Sequence, residues 1–197
     1  MRNFFTHRMI RLVCPGLLLL ASIMPAHADE QLWSALTEGG YVVLMRHAMP
    51  EQKGDPFLLT PGDCSRQRNL SAAGREQARS IGKLFAERNI KVMDVLSSRY
   101  CRTMETARLA FGKTTAWQPL DLISPLSEQQ RSERIAAMVN KIRAFKGPGN
   151  LVMISHQPNI DVLTFEQVAP GELVLVKTDS QGELEVIGRM RLAQPVP

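Results

Sequence analysis

Arg46 and His47 stand side by side at the end of the apolar run Tyr41-Val42-Val43-Leu44-Met45. Ser155-His156 closes a second such run, Leu151-Val152-Met153-Ile154. A third run, over 92–96, leads into Ser98 and Arg102. A guanidinium beside an imidazole can hold an anion and attack it, because the planar fork grips oxyanions and a neutral imidazole is a nucleophile. Each pair alone is a short motif that chance supplies readily. Their coincidence at three run ends is informative, because parallel strands of one sheet present their carboxyl ends side by side, where ligands bind.

The elements that must place these residues alternate along the chain. A short helix is expected over 29–37, stopped by Gly39-Gly40, before the first strand. Residues 49–69 carry Pro50, Gly54, Pro56, Pro61 and Gly62 and read as a long loop, of the kind more often functional than idle. Ser71 suits an N-cap for a helix reaching about Arg88, with Ala78, Ile81, Gly82 and Phe85 on one face. After the strand at 92–96, a helix is expected over 103–111 with Met104, Ala107 and Phe111 inward, then a weaker strand over 117–122. Pro125 and Ser127 introduce a helix striped by Ile135, Met138, Ile142 and Phe145, which Gly147-Pro148-Gly149 ends. Strands over 172–177 and 184–191, joined by a turn at Asp179-Ser180-Gln181-Gly182, close the chain. Strand–helix alternation predicts a mostly parallel α/β sheet, and no repeat or linker divides it.

The first 28 residues read differently. Arg2, Arg8 and Arg11 precede an apolar stretch over 12–24 and an A-x-A signal at Ala26-His27-Ala28, the layout of a secretory leader too short to span a bilayer. Cys14 lies before the apolar stretch and follows the large Val13, which argues against lipidation. The expected organisation is a leader over 1–28, cleaved after Ala28, and a single domain over 29–197, located in the periplasm or secreted, with no stable membrane insertion after cleavage. Cleavage removes three of the 24 basic residues and no acid, leaving 21 against 19, a net charge of +2. With no basic run and 6% aromatic residues, nucleic acid is not an expected partner. The mature chain keeps two histidines, His47 and His156, and two cysteines, Cys64 and Cys101. In an oxidising compartment that pair is expected to be joined, with two free thiols as the alternative.

These residues resemble the histidine phosphatase superfamily, also called phosphoglycerate mutase-like. Its Arg-His-Gly or Arg-His-Ala motif is matched by Arg46-His47-Ala48, and its Leu-Ser-x-x-Gly-x-x-Gln-Ala segment by residues 70–78. Ser98, Arg102, Thr103, Thr106 and Ala107 fit its Ser-x-x-x-Arg motif, and Ile154-Ser155-His156 its second histidine. The resemblance covers residues 41–190 or so. It implies a three-layer α/β/α sandwich with a mostly parallel central sheet, and a phosphatase that works without cofactor or metal. His47 would attack phosphorus to form a phosphohistidine, presenting Nε2 while a backbone carbonyl accepts from Nδ1–H. Arg46, Arg102 and a cationic His156 would bind the phosphate oxygens and push the pKa of His47 down. Glu128, in Leu126-Ser127-Glu128, stands near where many members place a general acid. It also suits a helix's first turn, favoured there by the dipole.

Several departures refine the expectation. His156-Gln157, where another branch has His-Asp, speaks against the acid-phosphatase and phytase branch. Ala48 replaces the usual Gly, and its methyl would tighten the pocket. Only 53 residues separate Arg102 from His156, leaving little room for a mutase-like cap. The loop over 49–69 is then the main candidate lid, and a Cys64–Cys101 bond would fasten it next to Arg102. A zinc site of Cys64, Cys101, His47 and His156 lacks any short-spaced ligand pair. The expected partner is a small phosphorylated substrate, with a cell-envelope sugar phosphate as one candidate. The alternatives are a phosphohistidine phosphatase, a phosphomutase and a phosphate-binding protein without turnover. Oligomeric state is not legible.

Overall fold

Four apolar runs of the sequence form neighbouring strands of one sheet in a computed structural model, which describes residues 24–55 and 62–192. The strands are β1 (Val42–Arg46), β2 (Val92–Ser97), β3 (Thr115–Ala116), β4 (Asn150–Ser155), β5 (Leu173–Thr178) and β6 (Leu184–Met190), in the order β3-β2-β4-β1-β5-β6. The pairings β3–β2, β2–β4 and β4–β1 are parallel, whereas β1–β5 and β5–β6 are antiparallel. The sheet is thus mixed, parallel where the three chemistry-bearing strands lie. The helices are α1 (Met24–Glu38), α2 (Ala72–Glu87), α3 (Cys101–Phe111), α4 (Glu128–Ala144) and α5 (Gln157–Thr164).

Strand alternation divides the core in two. Val43, Met45, Val95, Val152, Ile154 and Leu175 face Leu32, Trp33 and Leu36 of α1, Ile81 and Phe85 of α2, and Ala107 of α3. Val42, Leu44, Leu96, Leu151, Met153, Val174 and Val176 face Met138 and Ile142 of α4 and Ile160 of α5. Both faces of the sheet are covered, so residues 42–45 of β1 and 151–154 of β4 are apolar without a break, whereas β2 is buried only over its second half. Burying each large side chain contributes roughly 1.5–3 kcal/mol. Ser71 caps α2 by accepting from Gly74 N at 3.0 Å. Ser127 and Gln130 form a reciprocal capping box at α4.

One expected element is replaced and one unexpected element is present. In place of a strand over 117–122, the chain makes the two-residue β3 and then a 3-10 turn, Gln118–Leu120. Pro119 has no N–H to give a ladder, which explains the loss. The helix α5 was not expected; it starts directly after His156, with Pro158 in its first turn, where a missing N–H costs nothing. The helix α1 extends back to Met24 and so runs across the expected junction at Ala28. The rest of the leader lies outside the described residues, as do 56–61 within the long loop. Among the described residues, no helix is long and apolar enough to cross a membrane.

Candidate active site

Register brings the chemistry together. Arg46 pairs with Ser155 across β1 and β4, and Ser97 pairs with Ile154 across β2 and β4. His47, Ser98 and His156 therefore leave the sheet at neighbouring points. His47 N extends the ladder by one bond to Ser155 O at 3.1 Å. Its ring is 5.6 Å from that of His156, centroid to centroid, and both are buried, at 4% and 2% exposure.

Nδ1 of His47 lies 2.8 Å from Ala48 O. A carbonyl only accepts, so Nδ1 carries the proton and Nε2 is the unprotonated nitrogen. Burial, then the charge of Arg102, lowers the pKa of His47 to about 3, although its bond to Ala48 O acts the other way. The ring is neutral at physiological pH. Ala48 does not crowd the site: its methyl packs in a small apolar cluster with Leu70 and Ala78, while its N–H donates to Thr106 Oγ1.

Arg46 is held from the far side by Val168 O, which accepts from Nη1 at 2.7 Å. The segment carrying Val168 is fixed by Gly171, whose N–H donates to both Arg46 O and His47 O at 3.1 Å. Gly171 has φ +77°, and a Cβ there would come within 2.5 Å of Gln77 Nε2. Gln77 closes the assembly, accepting from Met49 N and donating to Pro170 O.

Arg102 is the second residue of α3 and is buried, at 4% exposure. Its Nη1 donates to Asp55 Oδ1 at 2.9 Å and to Arg68 O at 3.3 Å; its Nη2 lies 3.3 Å from His156 Nδ1. Asp55 is anchored by Arg68 N–H, and Arg68 Nε donates to Glu51 O. Tyr100 adds its ring face, 4.7 Å from the guanidinium carbon. Cys64 and Cys101 are bonded, with Cα atoms 5.7 Å apart, so the loop is tied one residue before Arg102. The sulfurs are therefore not available as thiolates. Among the described residues, no group of three or more His, Cys, Asp or Glu side chains could hold a metal.

His156 departs from expectation. Burial, then the charges of Arg102 and the effects of His47 and Arg46, push its pKa well below that of free imidazole. It is neutral rather than cationic, because a third positive charge in a buried site already holding two guanidinium groups is unfavourable. Its Nε2 lies 2.9 Å from Ser98 Oγ, which in turn is 3.2 Å from Asp121 Oδ1.

Arg46, His47, Arg102 and His156 thus meet at one place. Glu128 does not join them: it is exposed in the first turn of α4, beside Arg131, Ser132 and Ile135. The sequence reading overlooked Asp55 and Asp121, isolated acids in loops whose partners come from far along the chain. Among the described residues, two buried nitrogens, Nε of Arg46 and Nε of Arg102, have no hydrogen-bond partner. Buried donors are normally satisfied, so the two guanidinium nitrogens suit an oxyanion as acceptor.

The family model described as the histidine phosphatase superfamily (branch 1) matches residues 42–131. A search by sequence among curated proteins found no match. Solved structures share the fold. The protein histidine phosphatase SixA complexed with tungstate aligns with TM-score 0.52 at 16% identity, covering 76% of this chain and 96% of its own. A candidate alpha-ribazole-5'-P phosphatase from Escherichia coli K-12 aligns with TM-score 0.57 at 18% identity, over 75% and 94%. A mycobacterial glucosyl-3-phosphoglycerate phosphatase complexed with VO3 aligns with TM-score 0.54 at 12% identity, over 76% and 98%.

Proposed function

We propose that the chain, whose residues 42–131 match the histidine phosphatase superfamily model, is an exported phosphatase of that superfamily acting on a phosphomonoester through a phosphohistidine on His47. The observation that carries this reading is a neutral imidazole with an unprotonated Nε2 in the same site as two buried guanidinium Nε donors that are unpartnered among the described residues. Arg46 and Arg102 hold the phosphoryl oxygens, and their charge offsets what builds up as the leaving oxygen departs. Nε2 of His47 attacks phosphorus, and Ala48 O stabilises the Nδ1–H of the imidazolium that forms. Water then cleaves the P–N bond and regenerates the ring.

The substrate is a small phosphate ester, with a sugar phosphate of the cell envelope as the preferred candidate because the leader directs the chain out of the cytoplasm. One observation favours a second reading, phosphohistidine hydrolysis. Glu128 is exposed in the first turn of α4 while both histidines are buried, and a phosphoramidate needs less proton assistance than an alkoxide. SixA is described as a protein histidine phosphatase. A panel of sugar phosphates and phosphohistidine separates the two.

The test of the mechanism is hydrolysis of an aryl phosphate by the protein purified from the periplasm. His47→Ala should lose it entirely, and acid-labile phosphate should be trapped on the wild type alone. Appreciable turnover by the variant would sink the phosphohistidine route. Sequencing of the exported protein should begin at Asp29.

A further inference from the structure

Four groups in a row connect the phosphate pocket to the back of the sheet: Arg102, His156, Ser98 and Asp121. Their proton positions follow from what each can donate. Arg102 Nη2 is only a donor, so His156 Nδ1, 3.3 Å away, must accept. A neutral imidazole has one N–H, which therefore sits on Nε2 and points to Ser98 Oγ at 2.9 Å. Ser98 Oγ also accepts from Tyr100 N at 3.3 Å, so its own proton goes to the carboxylate of Asp121. That carboxylate is locked by Arg99, whose backbone N–H and Nε each donate to it at 2.7 Å. Asn159 Nδ2 holds Asp121 O at 2.9 Å. Among the described residues, the remaining charged or titratable groups facing His156 are Arg46 at the end of β1, His47 just after it, and Tyr100 before α3. Arg134 stands 3.9 Å behind Asp121.

We propose that Ser98 and Asp121 are positioning residues that hold His156 with an unprotonated Nδ1 toward the phosphate pocket, so that this nitrogen carries the proton from a monoanionic phosphate ester to its leaving oxygen. This rests on the phosphatase reading and assigns the step that Glu128 does not reach. On binding, the phosphate displaces Arg102 Nη2 from Nδ1. The phosphate O–H bond breaks and the Nδ1–H bond forms, giving an imidazolium whose Nε2–H still reaches the carboxylate of Asp121 through Ser98. As Nε2 of His47 bonds to phosphorus, the ester P–O bond breaks, and its oxygen takes the proton from Nδ1. The alcohol leaves neutral, His156 returns to its resting form, and the total charge is unchanged. The substrate form selected is the monoanion, which is lost above the second phosphate pKa, near about 6.

Two measurements on the mature protein and on its Ser98→Ala and Asp121→Asn variants test this. The first is the 15N–1H ring spectrum of the resting protein, which reads the tautomer without requiring activity. His156 should carry its proton on Nε2 in the wild type and become a tautomer mixture in both variants. A wild-type proton on Nδ1, or unchanged spectra in the variants, would overturn the assignment. The second compares kcat/KM for glycerol 2-phosphate, an alkoxide leaver, with 4-nitrophenyl phosphate, whose leaving group needs no proton. Asp121→Asn should lower the first about a hundredfold, the scale of a general acid–base contribution, and the second by less than about tenfold. Wild-type kcat/KM for the alkyl ester should decline above about pH 6. Equal losses on both esters would refute the proton role. Absence of any wild-type turnover would instead remove the phosphatase reading and the transfer step with it, leaving the spectra to judge the positioning.

Discussion

Replacing Cys64 and Cys101 by serine removes the one covalent link between the long loop and α3. The bond closes a loop with a sequence separation of 37 residues. The loop-entropy relation then gives about 4 kcal/mol of stabilisation through the unfolded chain. For a protein of this size that corresponds to a fall in Tm of roughly 8–16 °C. The loop also carries function: Asp55 and Arg68 O hold Nη1 of Arg102, and Gln67 Oε1 accepts from Cys101 N. Loosening it weakens contacts worth about 1.4 kcal/mol in sum, so kcat/KM should fall about tenfold even where the variant is folded. Urea unfolding followed by circular dichroism measures the first effect, and aryl phosphate hydrolysis at low temperature the second. A loss below about 1 kcal/mol would show that the unfolded chain is already restricted there. Unchanged kcat/KM would show that the loop keeps Arg102 in place without the bond.

Acid should destabilise the fold through the histidines. His47 has a folded pKa near 3 against 6.5 for the free ring, so the unfolded chain binds the proton first as pH falls. Stability is therefore complete above pH 6.5 and declines from there to about pH 3, by up to about 1.4 kcal/mol per pH unit. His156, shifted the same way, steepens the slope, and His47→Gln should flatten it in urea titrations run across that range. Arg102→Lys keeps the charge but cannot reach Asp55, His156 and a phosphate together, so kcat should drop about 10²–10³-fold with little change in melting. Gly82→Ala drives a Cβ into Ala110 O where α2 packs on α3, which should cost about 1–3 kcal/mol by thermal melting while leaving KM unchanged.

Which parts were legible in the sequence follows from the range of the interactions. The unbroken apolar runs over 42–45 in β1 and 151–154 in β4 reflect a sheet covered on both faces, and that is a local signal. The caps at Ser71 and Ser127 are equally local. The grouping of Arg46, His47, Arg102 and His156 was readable because parallel strands put their ends together. Other features depend on distant partners. Asp55 meets Arg102 across 47 positions and Ser98 meets Asp121 across 23, and no pattern in the sequence joins them. The charge of His156 was misjudged because the depth of burial, which outweighs any phosphate-binding preference, cannot be read from neighbours in sequence. Glu128 was placed by the resemblance, whereas its capping-box helix start sets it on the exposed first turn of α4.

The antiparallel strand β5 has a consequence for when the site comes into being. Because β5 runs opposite to β1, it is the beginning of β5 that reaches the ends of Arg46 and His47, bringing Val168 O and Gly171 N with it. A strand near the middle of the sheet thus receives both neighbours, β4 and β5, more than 100 residues after its own synthesis. Until that late hairpin docks, Arg46 lacks the Val168 carbonyl that holds its guanidinium and His47 lacks the N–H of Gly171 on its carbonyl. Such long-range pairings are slow to form. An incomplete chain would possess every residue of the opening motif and still be unable to assemble it, so competence waits on the last quarter of the polypeptide.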